Sequence, residues 1–208
     1  MVDHVRGIDV SHFQGNIDWG RVAADGVQFA FTKATDGRTY VDPTFHQNWT
    51  RMRQAGLIRG VYHFLRPGVS AKSQADHFLN ETKNIIESAD FPPVLDVEDG
   101  KGISQSQLAA KVREWLSIVE SAIRRKPIIY CSPGIWNSEV GRDFSEYPVW
   151  VAHYTSKPNP TLPIGWTNWK IWQFTDRGRV AGISGDVDLD RFNGSMKQLK
   201  AFIASTII

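Results

Sequence analysis

Phe91-Pro92-Pro93-Val94-Leu95-Asp96-Val97-Glu98-Asp99-Gly100 is an apolar, strand-forming run that ends in two carboxylates one residue apart. On a strand, residues i and i+2 face the same side with Cα atoms roughly 6.5 Å apart. Asp96 and Glu98 therefore project together, and Leu95 and Val97 face the other way. Burying two acids at the end of an apolar strand raises at least one carboxyl pKa by desolvation and like-charge repulsion. One carboxyl then stays protonated while its neighbour is ionised, the division of labour that hydrolysis of a glycosidic bond requires.

Short apolar runs alternate with helical patterns on either side of this strand, which predicts βαβ units and a mainly parallel sheet. The strand runs are Gly7–His12, Val27–Lys33, Ile58–Phe64, Val94–Glu98, Pro127–Tyr130, Val149–His153, Lys170–Phe174 and Val187–Asp190. Asp18 reads as the N-cap of a short helix, and Asp42-Pro43 as N-cap and first-turn proline of a second. Ala71, Ala75, Phe78, Leu79 and Ile86 share a helical face, as do Leu108, Val112, Trp115, Leu116, Val119 and Ile123. A last helix is expected over Ser195–Ile203. The Pro/Gly-rich stretch Lys157–Gly165 leaves no room for a helix where an ideal barrel has one. The expected fold is α/β: an irregular, flattened (β/α) TIM-like barrel with eight strands and fewer than eight helices. One domain fills residues 1–208.

Composition narrows the function. The 208 residues are 41% hydrophobic and 22% charged with a formal net charge of +2, an ordinary globular balance. Arg124-Arg125-Lys126 is the longest basic run, too short to support nucleic-acid binding by phosphate neutralisation. No stretch is long and apolar enough to cross a bilayer, and Met1–Arg6 has no apolar signal-peptide core. Cys131 is the single cysteine, a core filler in an apolar run. His12, His63 and His153 lie on or beside strands without any H-E-x-x-H spacing, so no metal and no other cofactor is expected. Ser132 lacks a nucleophile elbow.

In a parallel barrel the chemistry gathers at strand C-terminal ends. Asp9 in the first run, Asp96 and Glu98 in the fourth and Asp188 in the last would meet at one mouth, since first and last strands are neighbours. The segments G-I-D-V-S-H-F-Q-G at 7–15, F-T-K-A-T-D-G at 31–37, G-V-Y-H-F at 60–64, P-V-L-D-V-E at 93–98, V-W-V-A-H-Y at 149–154, I-W-Q-F-T at 171–175 and V-D-L-D-R-F at 187–192 occur in the order of one family. The chain resembles the glycoside hydrolase family 25 muramidases, lysozymes that cut bacterial peptidoglycan.

The resemblance implies a retaining 1,4-β-N-acetylmuramidase. Glu98 matches the general acid. Asp96 matches its partner, either as nucleophile or as the group that orients the substrate's 2-acetamido group. Asp9 and Asp188 match supporting acids, and Tyr62 a hydroxyl that hydrogen-bonds the reacting sugar. Lys33, Tyr154, Trp172 and Gln173, which fall in matched segments, and Tyr130, at the end of the strand run Pro127–Tyr130, are substrate-binding candidates. Asp190 departs from the V-D-L-N of many relatives. The implied partner is the bacterial wall, met outside the cell or in the periplasm by a monomer without a wall-binding module. A chitinase-like reading is disfavoured because Phe91 and Val94 occupy the earlier acid positions of D-x-x-D-x-D-x-E. The alternatives from other classes are a non-catalytic wall-binding barrel and a metal-dependent deacetylase.

Overall fold

The computed structural model describes residues 4–208. Eight strands close into a barrel: β1 (Val5–Val10), β2 (Phe29–Asp36), β4 (Ile58–Phe64), β5 (Val94–Val97), β6 (Ile128–Cys131), β7 (Val149–Ala152), β8 (Ile171–Gly178) and β9 (Val187–Phe192). A two-residue strand, β3 (Tyr40–Val41), folds back antiparallel on the extended end of β2. The β1–β2 pairing completes the circle. β2 thus runs past Lys33, where the expected strand ends, to Thr35 and Asp36.

Six strands run parallel from β1 to β7, and β8 continues the series. The last strand does not. β9 pairs antiparallel with both β8 and β1, in the register Asp9↔Asp188 and Gly7↔Asp190. A hairpin loop, residues 179–186, joins β8 to β9 in place of a helical crossover, because antiparallel neighbours need none.

Helices α1 (Trp19–Ala24), α2 (Phe45–Gln54), α3 (Ala71–Thr82), α4 (Gln105–Ile123), α5 (Pro133–Ile135) and α6 (Met196–Ser205) complete the described chain. Asp18 caps α1 through its side chain. Asp42 does not cap α2: Thr44 occupies that position, and Asp42 braces the preceding turn by accepting from the backbone and hydroxyl of Thr44. Ser104–Gln107 and Ser195–Gln198 form reciprocal capping boxes at α4 and α6. α3 ends before Ile86, which packs on the core from the following loop. α5 runs into a π-helical turn, Trp136–Val140.

Side-chain parity divides the sheet. Leu95, Val97, Ile129, Val151 and Trp172 face outward into the layer beneath the helices, with Val112, Trp115 and Leu116 of α4. Inward-facing residues form a second cluster of Val5, Phe29, Phe31, Phe91, Val94, Ile128, Tyr130, Trp150, Ile171 and Phe192, closed at the bottom by Leu199 and Ile203 of α6. Gly7 and Gly60 make space for that cluster. A Cβ on either would lie 2.1 Å from the ring of Phe29 or Phe31 respectively. Beneath the barrel mouth the interior is therefore solid aromatic packing, with Phe31 only 4.6 Å from Phe91 and 4.4 Å from Trp150 between ring centroids. At the rear of the barrel, Arg59 bridges Asp90 through two hydrogen bonds of 2.9 Å, both side chains buried.

Candidate active site

Above the aromatic plug the inward-facing positions turn polar. Following each strand two residues at a time, Gly7 leads to Asp9, Phe31 to Lys33, Gly60 to Tyr62 and Phe64, Val94 to Asp96 and then Glu98, Ile128 to Tyr130, and Ile171 to Gln173. On antiparallel β9 the order reverses, so Asp188, near the strand's start, reaches the mouth level with Asp9, and Asp190 lies one step deeper, level with Gly7. The expectation that every acid comes from a strand's C-terminal end is corrected here. Asp9, Lys33, Tyr62, Phe64, Asp96, Glu98, Tyr130, Gln173 and Asp188, with Ser11, Phe13, Gln14, Trp150 and Tyr154, line a cleft of about 320 Å³, and Asp190 is buried beneath it.

Asp96 is 4% exposed on the cleft floor, and its Oδ1 has no hydrogen-bond partner. Glu98 stands one step further out, beyond the end of β5, more open to solvent than Asp96 but with its carboxyl turned into the cleft. Burial raises Asp96 well above the usual carboxylate range, and the neighbouring Glu98 charge adds to it. Burial also raises Glu98, while the Lys33 ammonium pulls it back. Two interacting carboxyls titrate as a pair, with a singly protonated form between the fully protonated and fully ionised ones. Lys33 itself is fixed by Asp36, at 3.0 Å, and lies 4.7 Å from the Phe64 ring centroid. Arg66 grips the same Asp36 carboxylate from outside through two bonds of 2.6 and 2.7 Å.

Across the cleft a chain of hydrogen bonds links the remaining groups. Gln173 Nε2 donates to Asp9 Oδ2 at 2.7 Å, and its Oε1 accepts from the hydroxyls of Tyr130 at 2.9 Å and Tyr154 at 2.8 Å. Trp150 Nε1 donates to Asp190 Oδ1 at 2.9 Å. The second oxygen, Asp190 Oδ2, is buried without a partner. Burial raises Asp9 and Asp190 well above their usual values, with the Asp188 charge next in each case. Asp188 is pushed up to about 6, chiefly by burial. The hydroxyls of Tyr62 and Tyr130 are held protonated by burial next to these acids.

Nine of the ten candidate residues lie in this cleft: Asp9, Lys33, Tyr62, Asp96, Glu98, Tyr130, Tyr154, Gln173 and Asp188. Trp172 does not. Adjacent strand residues face opposite sides, so Gln173 inside puts Trp172 outside, where its indole is buried and donates to the His153 carbonyl at 2.7 Å. Asp190, Trp150, Phe64 and Phe13 were not among the candidates. Two-residue alternation from Asp188 is the signal that reaches Asp190, whereas Trp150 is the cross-strand partner of Tyr130 and needs the sheet register. The histidines are bound up locally. His63 is buried between Thr35 Oγ1 at 2.7 Å and Gln74 Oε1 at 3.2 Å, and burial lowers its pKa to about 3. His12 bonds Asp42, and His153 Nδ1 accepts from Thr161 N. Among the described residues, no group of three or more His, Cys, Asp or Glu is disposed to hold a metal ion.

Residues 8–183 match the model of the Glycosyl hydrolases family 25. The chain belongs to that family. Other family 25 proteins and relatives resemble it over nearly its full length. Lysozyme M1 of Streptomyces globisporus is 38% identical, covering 97% of this chain and 72% of that protein. The protein YegX of Escherichia coli (strain K12) is 44% identical over 96% of this chain and 73% of its own length. The crystal structure of the bacterial lysozyme from Streptomyces coelicolor superposes with a TM-score of 0.89 at 37% identity, covering 98% of this chain and 99% of that one. The TIM-like barrel with eight closing strands is thus the family 25 fold, and the carboxylates gathered at its mouth lie in a glycoside hydrolase scaffold.

Proposed function

We propose that this chain is a lysozyme, a 1,4-β-N-acetylmuramidase that hydrolyses the bond between N-acetylmuramic acid and N-acetylglucosamine in peptidoglycan. Residues 1–208 act as one catalytic domain on the bacterial cell wall, outside the cell or in the periplasm. The reading rests on family membership, and for the mechanism on one observation: Asp96 lines the cleft beside Glu98 with Oδ1 unpartnered.

Glu98 is the general acid. It donates its proton to the glycosidic oxygen as the bond from C1 to that oxygen breaks, and the glucosamine portion leaves with that proton. An unpartnered carboxylate oxygen is matched by the N–H of the muramic acid 2-acetamido group. An N–H donor at Asp96 favours its ionised form, which shifts the shared proton onto Glu98 as substrate binds. The acetamido carbonyl oxygen then attacks C1 and the charge spreads over the new ring, steadied by Asp96. Water attacks C1 from the face the leaving group vacated, gives its proton to Glu98, and the ring reopens. Two inversions give net retention. Tyr62 supplies a hydroxyl donor to the reacting sugar, and Asp9, Asp188 and Gln173 shape the floor on which it rests.

Purified peptidoglycan digested with the protein, reduced with borohydride and acid-hydrolysed should yield reduced muramic acid. Reduced glucosamine would make the protein a glucosaminidase, and released peptides without new reducing ends would remove glycosidase action altogether. Proton NMR of the first product anomer should show β, and an initial α anomer would refute retention.

A further inference from the structure

Phe13 is 81% exposed, the highest value among the exposed large hydrophobic side chains of the described chain. Scattered exposed apolar residues are ordinary, but this one forms part of the cleft wall together with Ser11, Gln14 and Lys33. The backbone that carries it is held in a closed turn. The turn His12–Gln14 follows directly on β1, four residues after Asp9, and is closed by a reciprocal capping box between Ser11 and Gln14. Gly15, at φ 62°, ends it. Beneath Phe13 lies the imidazole of His12, ring centroids 4.1 Å apart. His12 is pinned in turn, with its backbone N at 3.0 Å and its Nδ1 at 2.9 Å from the buried Asp42 carboxylate, and the Tyr40 hydroxyl at 3.3 Å. The tilted His12 ring therefore touches the phenyl ring from one side, and most of the phenyl is presented to solvent at the cleft edge.

We propose that Phe13 is a stacking platform for a pyranose ring of the glycan strand, on the non-reducing side of the muramic acid being cut. The C–H face of a sugar packs on an aromatic face, and a ring held in advance loses little freedom on binding. Its side of the bond follows from Glu98. The general acid borders a second depression formed by Ser132, Gly134, Ile135, His153 and Thr161, where the leaving glucosamine portion fits, and Phe13 takes no part in that depression. Phe13 lines the main cleft with Asp9, Lys33 and Phe64, none of which borders the second depression. Phe13 thus makes the enzyme favour strands that continue past the reacting sugar. The inference rests on the muramidase reading.

The test compares wild type, Phe13→Ala and Phe13→Trp on two sets of peptidoglycan glycan fragments. One set ends at the reacting muramic acid, and the other extends beyond it on the non-reducing side. Phe13→Ala should raise KM roughly two- to tenfold on the extended fragments alone, with kcat and Tm held. Phe13→Trp should keep or lower the wild-type KM. An unchanged KM, or an equal rise on both sets, overturns the proposal. Should Phe13→Ala not fold, the Trp variant in a Glu98→Gln background provides a second readout. Its tryptophan emission should shift on adding extended fragments and not short ones, and an absent shift also overturns it. Wild type that produces no reduced muramic acid would instead remove the muramidase reading.

Discussion

Asp9 and Asp188 are cross-strand partners, brought face to face because β9 runs antiparallel to β1. A parallel closing strand would have put the mouth-facing residues of β9 at its far end, near Phe192. The reversal instead delivers Asp188 and Asp190 to the same wall as Asp9, and Gln173 of β8 joins them at 2.7 Å. The mouth of the barrel thus has two carboxyl groupings: Asp96–Glu98 with Lys33 beside it, and Asp9–Asp188 with Asp190 buried beneath them, a group to which no Lys or Arg forms an ion pair among the described residues.

Glu98→Gln should preserve the barrel and abolish most turnover, because an amide has no proton to give. General acid catalysis contributes roughly 10²–10⁴-fold, so kcat should fall by that order with Tm unchanged. The pH profile of the wild type carries the same assignment. Burial raises both carboxyls of the pair, so the singly protonated form persists above the ordinary Glu value of 4.5. The alkaline limb of kcat/KM should lie above that value. A folded Gln variant with half the wild-type rate refutes the role of Glu98.

Asp96→Asn should lose most of kcat while KM changes little. The amide keeps the shape of the cleft floor but cannot carry the negative charge that steadies the acetamido-derived intermediate. Steady-state kinetics on soluble glycan fragments measure the split. A proportional rise in KM with kcat intact would make Asp96 a simple binding group.

The strands and the Asp96–Glu98 pair were legible because both depend on local pattern: apolar runs of strand length, and a period of two. Strand direction is not local. Nothing in Val187–Asp190 distinguishes a parallel from an antiparallel neighbour, so the reversal of β9 and the inward position of Asp190 needed the assembled sheet. Trp172 went the other way. It was chosen with Gln173 from one matched segment, although consecutive strand residues cannot share a face. Phe13 was hidden for a different reason, since exposure at a turn is a property of the surrounding surface. Tyr154, half exposed in the loop after β7, entered through its segment and not through periodicity.

Gln173→Leu should destabilise the fold and lower activity together. The substitution removes the donor to Asp9 and the acceptor shared by Tyr130 and Tyr154. Each buried polar group left unpaired costs about 1–3 kcal/mol. Loss of the Gln173 donor also pushes Asp9 further upward, because that hydrogen bond favours its ionised form. Thermal melts should show a clear drop in Tm, and an unchanged Tm would mean the tyrosine hydroxyls and Asp9 find other partners.

Asp190→Asn should stabilise the protein at neutral pH. Asp190 is fully buried, and its pKa is raised first by burial and then by the Asp188 charge. A folded-state pKa above the unfolded one, about 3.9 for Asp, means the folded state binds more protons as pH rises past that value. Stability therefore falls with increasing pH above the unfolded pKa, and the loss is complete once pH exceeds the folded pKa. Below the unfolded pKa both states are protonated and the group has no such effect. An asparagine keeps the acceptor for Trp150 Nε1 and replaces the unpartnered Asp190 Oδ2 with an amide donor facing Asp9. Relief of a buried, unsatisfied polar atom is worth about 1–3 kcal/mol, and each kcal/mol moves Tm by roughly 2–4 °C at this size. Calorimetry from pH 4 to 8 should show the variant gaining on wild type as pH rises. A Tm difference that stays flat across that window would show that Asp190 does not titrate between the folded and unfolded states.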